Sequence, residues 1–381
     1  MARHPAGAAP GFALKLALSS ERLAWACVGL AVLLHALLIF GREGLWGGAD
    51  LIPHLRLIQA VASSPGLYNP YAPGYHWLGA ALAPALGLAL YPKVFALAAA
   101  LLLIAGFRSF QKAAALPDAC TAIFALTPFL LSLSWCTPRV EAAGYGLLLF
   151  GLGFLLRGRR AALAAALAAC FALHTAAALL FGLTAGILAL ARRDARALVA
   201  LAVGALGALP LLLAHLGAGC TFAQALLFAQ GGYSLSRAED LLPASWPWLA
   251  PLANPLALLA AAAGARATWR RSQPLACFAA ALVALWATNF WLAPFGLRTL
   301  VTPLRGLSVL AIPVAISAGV WCAAQRRREL ALLGLSALFA LIACPLVVPH
   351  ACYVRRIGLE ELAGVRVTRC QFVWQAAPET R

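Results

Sequence analysis

The sequence predicts an all-α fold, a polytopic bundle of transmembrane helices, on three observations. Apolar runs of about 17–20 residues, each long enough to cross a bilayer as a helix, recur along the whole length. Of the 381 residues, 63% are hydrophobic and only 11% charged, against about 25% charged in a soluble domain. No period-two alternation runs through the apolar segments, as the strands of a membrane barrel would require.

The elements follow in order. Residues 1–23 form a basic N-terminal segment with Arg3, Lys15 and Arg22. The apolar run 24–40 leads straight into Gly41-Arg42-Glu43 rather than a small-residue cleavage site, so it is expected to remain as the first span. A first outer loop, 41–90, comes next. Within it, "DLIPHLRLIQAVA" has helical apolar spacing at Leu51, Ile52, Leu55, Ile58 and Val61. The stretch 73–90 is apolar but interrupted by Pro84. If it crossed the membrane, "RGRR" and "RRDAR" would move to the outer face. It is therefore expected to lie in or dip into the outer leaflet, with Tyr75 and Trp77 at the interface.

Spans are then expected at 91–107, 117–135, 141–156, 161–173, 175–191, 197–217, 247–264, 275–291, 307–324 and 329–348, about eleven in all with the first. The division at "LHTA" within 161–191 rests on charge. A single long helix there would put "RRR", residues 326–328, outside, whereas two spans leave every inner connection after the first span with at least two positive charges. The expected organisation is a cytoplasmic segment 1–23, a transmembrane domain 24–348 and an outer-face tail 349–381. The protein would be multi-pass in the plasma (inner) membrane, N-terminus cytoplasmic.

The net charge of +17 is spread in small clusters between apolar runs. A nucleic-acid surface would instead gather it on one face with interleaved aromatics, so that class is excluded. The ten cysteines lie mostly inside apolar runs without a C-x-x-C pair, which argues against a metal or redox framework. Cys352 and Cys370 fall in the polar tail and would pair only in an oxidising compartment. No Walker-type loop, H-E-x-x-H or G-x-S-x-G occurs.

Charge sorting gathers Glu43, Asp50, His54, His76, Arg139, Glu141, Glu239, Asp240, Arg298 and Arg305 on the outer side, with His174 at the outer end of its span. Asp50 reads as the N-cap of the following helix or as a general base at the mouth of the bundle, with His54 and Arg56 one turn on to bind an anionic group. A capping geometry would also immobilise the carboxylate, so the two readings are compatible. Arg139 and Glu141 read as interfacial charges that fix span depth, or Arg139 faces a cavity beneath the first loop and contacts a phosphate or sugar. His174 reads first as a residue bonding backbone carbonyls at its turn, and second as one facing a pathway. Arg298 and Arg305 at the entrance to a late span bind either lipid headgroups or a substrate phosphate, which guanidinium forks match. The loop 218–246 is long enough to form a flap, with Gly231-Gly232 as a hinge.

The layout resembles the GT-C superfamily of integral-membrane glycosyltransferases. "GGADLIPHLRLIQ" resembles the segment of that family bearing an acidic residue just after the first span, and its Asp-His-Arg order is similar to the oligosaccharyltransferase branch. "YNPYAPGYHWLGAAL" resembles the entry to the second outer helix, "TPRVEAAGYGLLLFGL" the start of the fourth span, and "RTLVTPLRGLSVLAIPVAISAG" the late Arg-bearing loop and span. The resemblance covers roughly residues 20–325. Two departures stand out. The acid lacks the adjacent second acid of protein mannosyltransferases, and only about 30 residues are expected after the last span, in place of the large soluble domain of oligosaccharyltransferases.

The resemblance implies transfer of a sugar from a polyprenyl-phosphate carrier to a glycan, lipid or protein acceptor on the outer face, with inversion. Asp50 would be the catalytic base, and His54, Arg56, Tyr75, His76, Arg139, Glu141, His174, Arg298 and Arg305 would bind substrate. No cofactor is expected; a divalent metal between Asp50 and His54 is conceivable but not favoured. The competing classes are a transporter or flippase of a lipid-linked or small anionic substrate, which would call for repeats and broken helices at the midplane, and a non-catalytic envelope-assembly subunit.

Overall fold

A computed structural model describes residues 20–47, 51–63, 73–127, 140–217, 255–272, 274–278, 281, 311–325, 332–338, 355–367 and 372–374. Asp50, Arg139, Arg298 and Arg305, the flap loop 218–246, and Cys352 and Cys370 lie outside the described residues, as do most of the expected spans 275–291 and 329–348.

The described chain is a helical bundle. Helix α1 (Ser20–Phe40) leads to a short strand β1 (Leu45–Gly47), then to two helices of the first loop, α2 (Leu51–Ser63) and α3 (Gly74–Leu86). The bundle continues with α4 (Leu90–Ala113), α5 (Asp118–Ala125), α6 (Val140–Leu156), α7 (Arg160–Leu173), α8 (Thr175–Ala191) and α9 (Ala195–Ala205). A 3-10 turn joins α9 to α10 (Leu209–Gly217), and α11 (Pro255–Arg271) and α12 (Ala311–Ala324) follow. The C-terminal part carries strand β2 (Arg355–Ile357), a 3-10 helix (Leu359–Gly364), β3 (Val365–Val367) and β4 (Phe372–Trp374). Among the described residues three helical stretches, Glu21–Phe40, Leu90–Ala113 and Ala195–Ala214, are long and apolar enough to cross a membrane, with shorter apolar helices between them.

Charged groups tie one end of the bundle together. Arg108 near the end of α4 bonds Glu21 at the start of α1 at 2.8 Å and also pairs with Asp118 at the start of α5. Lys112 reaches Asp118 at 3.3 Å, and Arg157 just after α6 donates to the Ser109 carbonyl at 2.8 Å. Arg160, the first residue of α7, pairs with Asp194, which precedes α9. Three tight turns close at this arginine end in the same way. Leu116, Arg159 and Asp194 donate backward to the carbonyls of Gln111, Phe154 and Ala189 at 3.0, 2.9 and 2.9 Å. The residue before each donor has a positive φ: Ala115 52°, Gly158 72° and Arg193 53°. This is the Schellman closure, which satisfies the last helical carbonyls and reverses the chain.

The expected division of 161–191 is observed, since α7 ends at Leu173 and α8 starts at Thr175. His174 between them has φ −156° and ψ 102°, an extended conformation that breaks the helix. Close helix crossings depend on absent side chains. A Cβ on Gly106 of α4 would strike the carbonyl of Gly146 in α6, and one on Gly146 would lie 2.9 Å from the Leu102 backbone. Small residues let helix backbones meet in this way.

Three boundaries differ from the sequence expectation. Helix α4 runs to Ala113 rather than 107, because Arg108 and Lys112 find partners within its final turns. Helix α5 stops at Ala125, ahead of Pro128, whose ring disfavours helical backbone in the preceding residue. Pro84 does not interrupt its segment: it sits inside α3 on an exposed face, and the helix ends at Gly87 with φ 78°.

Candidate functional site

The opposite end of the bundle, where α1 finishes, carries the first-loop helices and the tail. Helix α2 buries Leu51, Ile52, Leu55, Leu57 and Ile58 completely, so its placement is set by packing on more than one face. Helix α3 buries only Tyr75, His76 and Gly79, while Trp77, Leu78 and Leu82 are exposed. Gly79 allows α2 and α4 to close on it: a Cβ there would lie 2.6 Å from Ile58 Cδ1 and 2.8 Å from Tyr91 Cε1.

That packing brings two sequence-predicted residues together. His54 Nδ1 of α2 lies 2.8 Å from His76 Nε2 of α3. The ring centroids are 5.1 Å apart and the planes differ by 23°. Such rings lie nearly side by side in one plane, with one nitrogen donating and the other accepting. His54 is half-buried and His76 buried. Tyr75 stands edge-on to both rings, at 5.8 and 5.4 Å, and packs at 4.6 Å against Phe95 of α4. Its backbone carbonyl accepts a 2.6 Å hydrogen bond from the Tyr91 hydroxyl. The Tyr75 ring is fully buried and its hydroxyl has no hydrogen-bond partner among the described residues. Burial, with a smaller effect from Tyr91, pushes this phenol well above its ordinary range, so it stays protonated. Tyr75 is thus placed as the pillar behind the two imidazoles. Arg56, half-buried, donates to Gln59 Oε1 at 3.2 Å.

A second polar pair lies at the same end. Glu141 in the first turn of α6 is buried, with Oε1 3.6 Å from His174 Nε2. His174 is the N-cap of α8: its Nδ1 accepts from the Ala177 amide at 3.1 Å. An accepting Nδ1 puts the neutral ring's proton on Nε2, facing the Glu141 carboxylate. This differs from the expectation that His174 bonds exposed carbonyls. The groups it meets at the start of α8 are N–H donors, which every helix N-terminus leaves unpaired.

The two pairs flank one packed region. A Cβ on Gly74, the first residue of α3, would lie 2.8 Å from the Ala172 carbonyl and 3.1 Å from Leu173 at the end of α7. Val140, next to Glu141, and Leu173, next to His174, join Leu51, Leu55 and Tyr75 in a single apolar cluster. No third His, Cys, Asp or Glu converges on the two imidazoles to complete a metal site among the described residues. Sequence reasoning passed over His35, which α1 buries at 1% exposure with neither ring nitrogen bonded to any of the described residues. The signal was there: a lone histidine inside an apolar span.

The described helices, their charged end and the first-loop helices at the other end define an integral-membrane helical bundle. The chain is similar to the crystal structure of ArnT from Cupriavidus metallidurans in the apo state, with a TM-score of 0.55 and 18% identity over 85% of this chain and 64% of that one. It is similar also to the structure of that protein bound to undecaprenyl phosphate, with a TM-score of 0.56 and 18% identity over 86% of this chain and 66% of that one. The chain thus spans a little under two thirds of the length of these structures. No protein-family model and no curated protein sequence matches it.

Proposed function

We propose that this protein is a membrane glycosyltransferase that takes a sugar from a polyprenyl-phosphate donor and passes it to an acceptor at the first-loop end of the bundle. The observation that carries the reading is the likeness, over 86% of this chain, to a structure bound to undecaprenyl phosphate. The His54–His76 and Glu141–His174 pairs, at the end of the bundle opposite the arginines, support it. The arginine end supports a cytoplasmic N-terminus and a first loop on the outer face of the inner membrane.

In the proposed reaction the acceptor hydroxyl attacks the anomeric carbon in line with the bond to phosphate and inverts it. Asp50 takes the hydroxyl proton, and the lipid phosphate leaves with the electrons of the broken C–O bond. Arg298 and Arg305, with His54 or Arg139, stabilise the phosphate. Arg56, Tyr75, His76, Glu141 and His174 shape the substrate pocket.

The test supplies purified protein with a radiolabelled polyprenyl-phosphate sugar and candidate acceptors, beside Asp50→Asn and Asp50→Ala. Both variants are expected to fold and to lose transfer. Full turnover by either would remove Asp50 as the base, and movement of the lipid without covalent transfer would favour a flippase.

A further inference from the structure

We infer that the C-terminal segment 355–367 is part of the site's scaffold, with Ile357 and Leu362 acting as positioning residues that hold α2, and so His54 and Arg56, in place. The functional consequence rests on the glycosyltransferase reading; the docking itself does not.

Helix α2 has 13 residues, and an isolated helix shorter than about 12–15 residues is marginal in water. Its order must come from what covers it. Helix α3 covers one side, with Gly79 against Ile58. The 3-10 helix and β3 of the tail also pack on α2. Ile357 and Leu362 are 4% and 3% exposed and belong to the same apolar cluster as Leu45, Leu51, Ile52, Leu55, Ile58 and Tyr75. These two apolar side chains close the cluster that also contains the pillar behind the imidazoles.

The tail also holds the lead-in to α2. Strand β2 pairs antiparallel with β1, setting Leu45 opposite Ile357, Trp46 opposite Arg356 and Gly47 opposite Arg355. The paired segment ends three residues before Asp50 in the chain. Arg356 lies over Gly44, where a Cβ would come within 3.3 Å of its Nε. The turn that presents Leu362 is closed from both sides. Gly358 donates to Glu361 Oε1 at 3.0 Å, and the Glu361 amide donates to the Gly358 carbonyl at 3.1 Å. A two-stranded ribbon of three-residue strands has no stability alone. The order of the tail and the order of α2 are therefore mutual.

The experiment compares amide exchange and sugar transfer in full-length protein held in nanodiscs. Ile357→Asp/Leu362→Asp is expected to speed exchange in α2 by about tenfold or more while leaving α4 and α6 at wild-type protection. Its kcat/KM for transfer from an undecaprenyl-phosphate sugar should fall by about tenfold or more. Ile357→Val/Leu362→Met should keep both near wild type. Oxidising a Trp46→Cys/Arg356→Cys tether in the Asp double variant should restore both, because direct cross-strand partners place their Cβ atoms within about 5.5 Å. Unchanged exchange in α2, or faster exchange with unchanged transfer, would overturn the proposal. If the wild-type protein transfers no sugar, the proposed function falls, and the exchange comparison still decides whether the tail holds α2.

Discussion

The guanidinium of Arg160 donates to the carboxylate of Asp194, 34 residues further on. Were α7 and α8 one helix, its ends would stand more than about 45 Å apart. The contact makes the two helices an antiparallel hairpin and brings α9 back beside α7. Asp194 has a second task, since its Oδ1 accepts from the Ala197 amide at 3.0 Å and caps α9. Both side chains keep partial exposure, 29% and 22%, so the ion pair is worth about 0–1 kcal/mol, whereas the cap contributes about 1 kcal/mol. Asp194→Asn should therefore cost less stability in detergent than Asp194→Ala, which loses both interactions. Equal losses would show that the charge, not the cap, dominates.

The 2.8 Å contact between His54 and His76 predicts non-additive kinetics. His54→Ala and His76→Ala should each lower kcat/KM for sugar transfer. The double variant should be no worse than the poorer single variant, giving a coupling of about 1 kcal/mol or more. Independent losses that simply add would show that the two imidazoles act separately.

Gly79 and Ile58 form a steric pair at the α2–α3 contact. Gly79→Ala places a methyl 2.6 Å from Ile58 Cδ1, and overpacking of this kind costs about 1–3 kcal/mol. Ile58→Ala alone opens a cavity and is destabilising by about 2–5 kcal/mol. The combined variant should be more stable than the sum of the two losses implies, as read by thermal unfolding. Strict additivity would mean that the two helices separate rather than repack.

Ala115, at φ 52°, holds a backbone conformation that glycine adopts without a Cβ penalty. Ala115→Gly should raise stability by about 1 kcal/mol, and Gly158→Ala, at φ 72°, should lower it by a similar amount. Chemical denaturation of both variants in one detergent checks the pair of signs.

Gly158 shows what was legible at the turns and what was not. A glycine between "RGRR" arginines announces a helix stop, but the same turn is built at Ala115 and Arg193 with no such residue. Those two adopt positive φ because short hairpins between packed helices demand it. The site divides in the same way. His54, His76, Glu141 and His174 could be sorted to one end by counting arginines between apolar runs. Which of them touch could not be read, because His54 meets His76 across 22 residues only where Gly79 lets α3 settle on Ile58. His174 likewise faces Glu141 only because α6 and α7 pack at Gly144, where a Cβ would lie 3.1 Å from the His174 Cβ.

The sequence by itself determined the helical bundle, the break at His174 and the gathering of polar residues at one end. Apolar run length and charge clustering are properties of single segments, and a bilayer reads each segment independently. The tertiary structure alone decided the His54–His76 and Glu141–His174 pairs, the Arg160–Asp194 closure, and the return of Ile357 and Leu362 to α2. Those are relations between segments distant in the chain, set by helix register and by side chains small enough to permit approach, and no local pattern encodes them.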